Sequence, residues 1–257
     1  MLDLKGSKWQ FVREFRFTQI RLLTMSVALD PANAAETPVR AVDGPLLNLA
    51  AFDTAEASLD PYQHILIDNL LSPGVAERLE AEYPAIDVSG YITMEPEKLP
   101  QVFRDLVEEL KGPALTECLS KAFDRDMHIY PRLVTMRRWS TAREGYIHTD
   151  SERKVMTMLL YLNPSWLGGS GGSLRVLYDG KNFEPYALEV PPLNGTVFAF
   201  TRSDNSWHGH LPFAGERRVI QVTWLRDGDA LDRKMSNNGL HQKLKRLFSG
   251  KKAKDMM

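Results

Sequence analysis

The chain has 257 residues, 43% of them hydrophobic and 25% charged, with a formal net charge of -1. That is the make-up of an ordinary globular protein, and a charge so near neutral excludes any global pull toward nucleic acid or an anionic membrane surface. One cysteine, Cys118, excludes an internal disulfide framework and any cysteine-based zinc or iron–sulfur centre; it suits a reducing, cytoplasmic setting.

The first 24 residues carry Lys5, Lys8, Arg13, Arg16 and Arg21 but lack the apolar core of a secretory signal. They read as a targeting peptide or as residues upstream of a start at Met25. No apolar run approaches the roughly 20 residues that cross a bilayer. Residues 1–59 form a lead-in, partly flexible and poorly periodic. His64-Ile65-Leu66-Ile67 reads as a first strand. Ser72-Pro73 supplies the N-cap and first position of a helix through Val75, Leu79 and Tyr83, stopped by Pro84. A second helix spans 99–111, with Val102, Phe103, Leu106, Val107 and Leu110 on one stripe. A third starts at Pro113, with Leu115, Cys118, Leu119, Ala122 and Phe123 inward.

After residue 128 the pattern changes to short β-branched and aromatic runs punctuated by Gly, Pro, Asn and Asp. They are Leu133–Trp139, Val155–Leu162, Ser173–Tyr178, Tyr186–Val190, Thr196–Phe200 and Arg218–Leu225. Strands in succession without intervening helices predict a mainly β, α+β fold: a jelly-roll core, or double-stranded β-helix, with helices packed on one sheet. Gly168 through Gly172 is a flexible connection and not a phosphate loop, because no helix follows it. The chain then turns polar, and 229–257 reads as a basic helical tail with Leu240, Leu244, Leu247 and Phe248 on one stripe. The expected domain therefore spans 60–228.

Within that domain, His148, Asp150 and His208 make up the ligand set of a two-histidine, one-carboxylate iron(II) site, which leaves positions open for substrate and dioxygen. One residue separates His148 from Asp150, so on a strand both side chains point to the same side. His208 lies 58 residues beyond Asp150 (208 - 150), a span that suits the return of a late strand beside an early one. Gly209 allows close backbone approach. Arg218 begins a strand whose alternation puts Ile220, Val222 and Trp224 on its own face, and an arginine on an apolar face is costly unless it meets an anion. Arg217 is a possible substitute, but its parity sends it to the opposite face. His210 is a competing imidazole read as a supporting or surface residue, and His64, His128 and His241 as structural or exposed.

These pieces, in order, resemble the iron(II)- and 2-oxoglutarate-dependent oxygenases, in particular their prolyl 4-hydroxylase-like branch. The matching motifs are His148-Thr149-Asp150, Leu160-Tyr161-Leu162-Asn163 with Trp166, Gly171-Gly172-Ser173-Leu174-Arg175, Trp207-His208-Gly209, and Arg218 through Trp224. The resemblance covers about residues 60–226. It implies Fe(2+) on His148, Asp150 and His208, and 2-oxoglutarate with its distal carboxylate on Arg218 and Tyr161. It further implies O2 as oxidant, with L-ascorbate as an accessory reductant. The reaction so implied is hydroxylation of an unactivated C–H bond with release of succinate and CO2. The presence of Asp150 favours hydroxylation over halogenation. One departure stands out: Met136, Arg137 and Arg138 occupy the region where some prolyl hydroxylases carry a tyrosine, and Arg138 either contacts an acidic substrate or faces water. A prolyl residue of a protein or peptide is the leading substrate, with a free amino acid or sugar-pathway small molecule as the alternative. Rival classes are a cupin-type metal enzyme that does not use 2-oxoglutarate, and a silent binding module that keeps the fold.

Overall fold

The computed structural model describes residues 44–233 and 235–236. The first 43 residues and the 240–248 stripe of the expected basic tail lie outside them, while residues 228–233, where that tail begins, are helical. Between residues 44 and 225, eight strands and three α-helices follow in the order β1 (His64–Ile67), α1 (Val75–Ala81), α2 (Gln101–Lys111), α3 (Pro113–Ala122), β2 (Arg132–Ser140), β3 (Lys154–Tyr161), β4 (Leu174–Leu177), β5 (Tyr186–Val190), β6 (Val197–Thr201), β7 (His208–His210) and β8 (Gly215–Leu225). The strands make two antiparallel sheets, a major one ordered β1-β6-β3-β8-β2 and a minor one ordered β5-β4-β7. This is the jelly-roll with helices on one side. Among the described residues, no helix is long and apolar enough to cross a membrane.

The major sheet is buried on both faces, and each face has its own composition. One face carries Met136, Met158, Leu160, Ala199, Ile220, Val222 and Trp224 against Val102, Phe103, Leu106, Leu110, Leu115 and Leu119 of α2 and α3. The other carries Leu159, Tyr161, Phe198, Phe200 and Val219 toward Leu174, Val176 and Val190 of the minor sheet. Along β8 the alternation therefore sends Arg218, Ile220, Val222 and Trp224 under the helices, and Arg217, Val219, Gln221 and Thr223 between the sheets.

Two local departures have plain causes. Helix α1 starts at Val75 with Gly74 as its N-cap, not Ser72. Gly74 adopts the left-handed region (φ 79°), and the Ser72 carbonyl accepts from the Val75 N–H in a turn that precedes the helix. Before residue 60, Leu46 and Leu47 are buried in the core beneath the helices, and both of their N–H groups donate to the Glu109 carboxylate of α2. The packed unit thus takes in part of the stretch expected as lead-in.

Candidate active site

The site begins with a backbone pairing. The His148 N–H donates to the His208 carbonyl and the His208 N–H to that of His148, each at 3.0 Å, so the two histidines form a mutual hydrogen-bonded antiparallel pair. Their rings project together, with centroids 4.4 Å apart. Gly209 makes that pairing possible. A Cβ there would sit 2.8 Å from the Gly145 carbonyl oxygen and 3.0 Å from that of Tyr146, both backbone atoms. Gly209→Ala is expected to push the 145–148 segment off β7, costing about 1–3 kcal/mol as an overpacked interior does. A thermal melt together with a metal titration checks this, since both stability and affinity should fall.

Asp150 completes the cluster. One ligand atom from each of His148, Asp150 and His208 falls within 4.8 Å of the others. In both histidines Nδ1 lies 2.9 Å from a carbonyl oxygen two residues earlier, that of Tyr146 and that of Ser206. A carbonyl only accepts, so each Nδ1 carries the proton and each Nε2 keeps its lone pair for a metal. Burial, working against the pull of Asp150, depresses His208 to about 4, which leaves it neutral at ordinary pH. Burial alone would raise the Asp150 carboxyl; the Lys154 ammonium and His208, with hydrogen bonds from Lys154 and Thr157, outweigh it and hold the group well below the usual carboxylate range. Lys154 Nζ reaches one Asp150 oxygen and Thr157 Oγ1 the other, both at 2.6 Å. Each oxygen retains a further lone pair, so these contacts orient the carboxylate without using up its ligand capacity.

The triad opens into a cavity of about 670 Å³ between the sheets. Arg217 lines it and Arg218 does not. Arg217 is buried, donating from Nε to the Gly172 carbonyl at 2.8 Å and from Nη2 to the Tyr161 hydroxyl at 3.4 Å. Arg218 departs from the expectation of the sequence. Its side chain lies on the helix side, bonded to Glu216 at 2.9 Å and stacked over the Tyr83 ring at 5.0 Å. The anion that offsets its burial is a carboxylate of this same chain. Tyr161 is fully buried, and burial pushes its phenol up to about 12, so it stays a neutral hydrogen-bonding group.

Residues 135–226, which include His148, Asp150, His208 and Arg217, match the family described as the 2OG-Fe(II) oxygenase superfamily. That segment, about a third of the chain, is what the chain shares with this superfamily. Similar solved structures include a prolyl-4-hydroxylase from Pseudomonas putida, at 18% identity over 70% of this chain and 99% of that one, with a TM-score of 0.45. A prolyl 4-hydroxylase from Phytophthora capsici is 20% identical over 70% of this chain and 63% of that one, with a TM-score of 0.47. An oxidoreductase of the 2OG-Fe(II) oxygenase family from Burkholderia pseudomallei is 17% identical over 73% and 93%, with a TM-score of 0.46. Likenesses this distant carry no substrate across. Among curated proteins, none matches the chain.

The cluster fits iron(II) on its donor chemistry: two imidazoles whose Nδ1 atoms are engaged by backbone carbonyls, leaving Nε2 for a metal, and one ionised carboxylate, on a common side of an open cavity. His210 also lines the cavity, with Nδ1 on the Leu211 carbonyl, but it is not among the clustered ligand atoms. His64 is buried, with Nδ1 on the Tyr62 carbonyl, and His128 is exposed beside Glu117. Arg138 pairs with Glu216 at 2.7 Å on the outer face, while its neighbour Arg137 turns into the cavity. The loop at 139–147 contributes Glu144, Gly145 and Tyr146 to the wall, and no residue of 201–206 lines it. Sequence reading gave no role to Lys154 or Thr157. Nothing in a Lys four positions after an Asp signals that a strand start will fold it back onto that carboxylate.

Proposed function

We propose that this oxygenase hydroxylates an unactivated C–H bond, with iron(II) on His148, Asp150 and His208 and the distal carboxylate of 2-oxoglutarate on Arg217 and Tyr161. The observation that carries this reading is the placement of the triad and a buried guanidinium in one cavity of about 670 Å³. When bound, iron(II) and 2-oxoglutarate supply the oxidising power, consuming O2 and releasing succinate and CO2 as one oxygen atom enters the substrate.

The chain's own residues bind, orient and shield. The carbonyls of Tyr146 and Ser206 fix the imidazole tautomers. Lys154 and Thr157 fix the Asp150 carboxylate, and Arg217 supplies a planar donor fork suited to a carboxylate. Leu159, Leu174 and Phe200 wall the cavity with apolar surface. An L-ascorbate requirement belongs to the same reading, as does residues 60–228 as the catalytic domain with 229–257 as a basic tail.

A prolyl residue of a protein is the proposed target, supported by the ordered motifs shared with the prolyl-hydroxylase-like branch. The test is succinate release over a panel of proline-containing peptides, with mass detection of a product one oxygen atom heavier. The expected result is product from at least one peptide and none from Asp150→Ala. Product at the wild-type rate from Asp150→Ala overturns the iron assignment. Release of succinate with no peptide oxidised overturns the prolyl assignment alone.

A further inference from the structure

Strand β2 carries polar groups into the cavity that the proposed chemistry leaves unused. Thr135 Oγ1 and Arg137 Nε are buried and find no hydrogen-bond partner among the described residues, and both residues line the cavity. Buried polar atoms are rarely left so, and two on one face of one strand point to a missing ligand. Arg137 has a single weak ionic contact, Nη2 to Glu144 at 3.4 Å, and its guanidinium lies over the Tyr91 ring at 4.4 Å.

The sheet register separates this group from the place proposed for the co-substrate. Val219 of β8 pairs with Tyr161 of β3 on one side and with Arg137 of β2 on the other. Arg217, two residues earlier on β8, reaches Tyr161. One guanidinium and one phenol thus serve a carboxylate on the β3 side, and a second guanidinium stands on the β2 side with Thr135. Charge points the same way. The cavity wall holds Arg137, Lys154 and Arg217 against only Asp150 and Glu144. Iron(II) and the 2-oxoglutarate dianion bring equal and opposite charges, so the loaded cavity keeps one uncompensated positive charge. An anionic substrate would neutralise it, and a cationic one would be repelled.

We infer that Arg137, with Thr135, binds a carboxylate of the substrate, which makes this oxygenase selective for substrates bearing an acidic group near the oxidised carbon. The inference rests on the proposed reading of the site. The carboxylate has two sources, a free small-molecule acid or an acidic side chain next to the target residue of a peptide.

The experiment is calorimetry on the full chain loaded with manganese(II), a redox-silent stand-in, and 2-oxoglutarate. Two matched pairs of probes are titrated: cyclopentanecarboxylate against cyclopentanecarboxamide, and acetyl-Pro-Glu-amide against acetyl-Pro-Gln-amide. The acidic member of at least one pair is expected to bind about tenfold tighter or better. Preference within the first pair points to a free acid and within the second to an acidic side chain. Arg137→Gln should erase the preference and Arg137→Lys keep part of it, with 2-oxoglutarate affinity little changed in both. Equal binding within both pairs, or no binding of any probe, overturns the inference. So does an Arg137→Gln protein that loses 2-oxoglutarate as severely as Arg217→Gln, because Arg137 would then belong to the co-substrate cradle. Failure of the wild type to bind 2-oxoglutarate at all is a separate outcome; it overturns the reading of the site and takes this inference with it.

Discussion

Arg217→Gln is expected to weaken 2-oxoglutarate binding by at least about thirtyfold, whereas Arg218→Gln leaves it within a factor of about two. The two arginines are neighbours in sequence and lie on opposite faces of β8. Arg217 is buried in the cavity, its guanidinium held by the Gly172 carbonyl and the Tyr161 hydroxyl and aimed where a carboxylate can dock. Truncating one partner of a buried, hydrogen-bonded charge pair costs about 2–5 kcal/mol, and about 1.4 kcal/mol is tenfold in affinity. Arg218 faces the helices, and its ionic partner is Glu216. Titration of 2-oxoglutarate into the manganese(II)-loaded proteins decides between them. A large loss in Arg218→Gln with none in Arg217→Gln would reverse the assignment.

Lys154→Met is expected to cost the metal-free protein about 3–5 kcal/mol, because it leaves the buried Asp150 carboxylate without its cation. Both side chains are only 8% exposed and meet at 2.6 Å, so solvent screening offers little relief. For a domain of this size the loss corresponds to a melting temperature lower by roughly 6–20 °C. A bound divalent cation supplies positive charge at the same carboxylate. Manganese(II) should therefore raise the melting temperature of Lys154→Met more than that of the wild type, narrowing the gap between them. Thermal melts with and without the metal provide the check. A gap that does not narrow would mean that Lys154 stabilises the fold without acting through Asp150.

The strands and the triad were legible because their signals are local. Short β-branched and aromatic runs between turn residues place seven of the eight strands to within a few residues, and Trp207-His208-Gly209 falls at the start of the remaining one, β7. His148-Thr149-Asp150 has the parity that puts two ligands on one side. The face of Arg217 and Arg218 was misread for a physical reason. Parity separates the two arginines but does not say which face of β8 meets the cavity, and an arginine in apolar company was taken as the mark of an anion site. In a sheet buried on both sides, the more apolar face packs under the helices and the more polar one lines the cavity. Gln221 and Thr223, two and four positions beyond Val219, were the available sign that Arg217 shares the polar face. Arg137 was harder to place, since the register slips between Arg137 and Trp139 and a bulge re-aims the side chains around it. The Lys154–Asp150 contact depends on a turn at 151–153 that no periodicity announces.

The most direct measurement is the visible absorption that forms when 2-oxoglutarate is added, without oxygen, to the iron(II)-loaded protein, since that charge-transfer band requires the keto acid to chelate the metal. The wild type and Arg218→Gln are expected to develop the band. Asp150→Ala should fail to develop it, and Arg217→Gln should need a far higher 2-oxoglutarate concentration. A wild-type protein that binds iron(II) yet shows no band at saturating 2-oxoglutarate would contradict the assignment of His148, Asp150 and His208 as a 2-oxoglutarate-dependent iron centre.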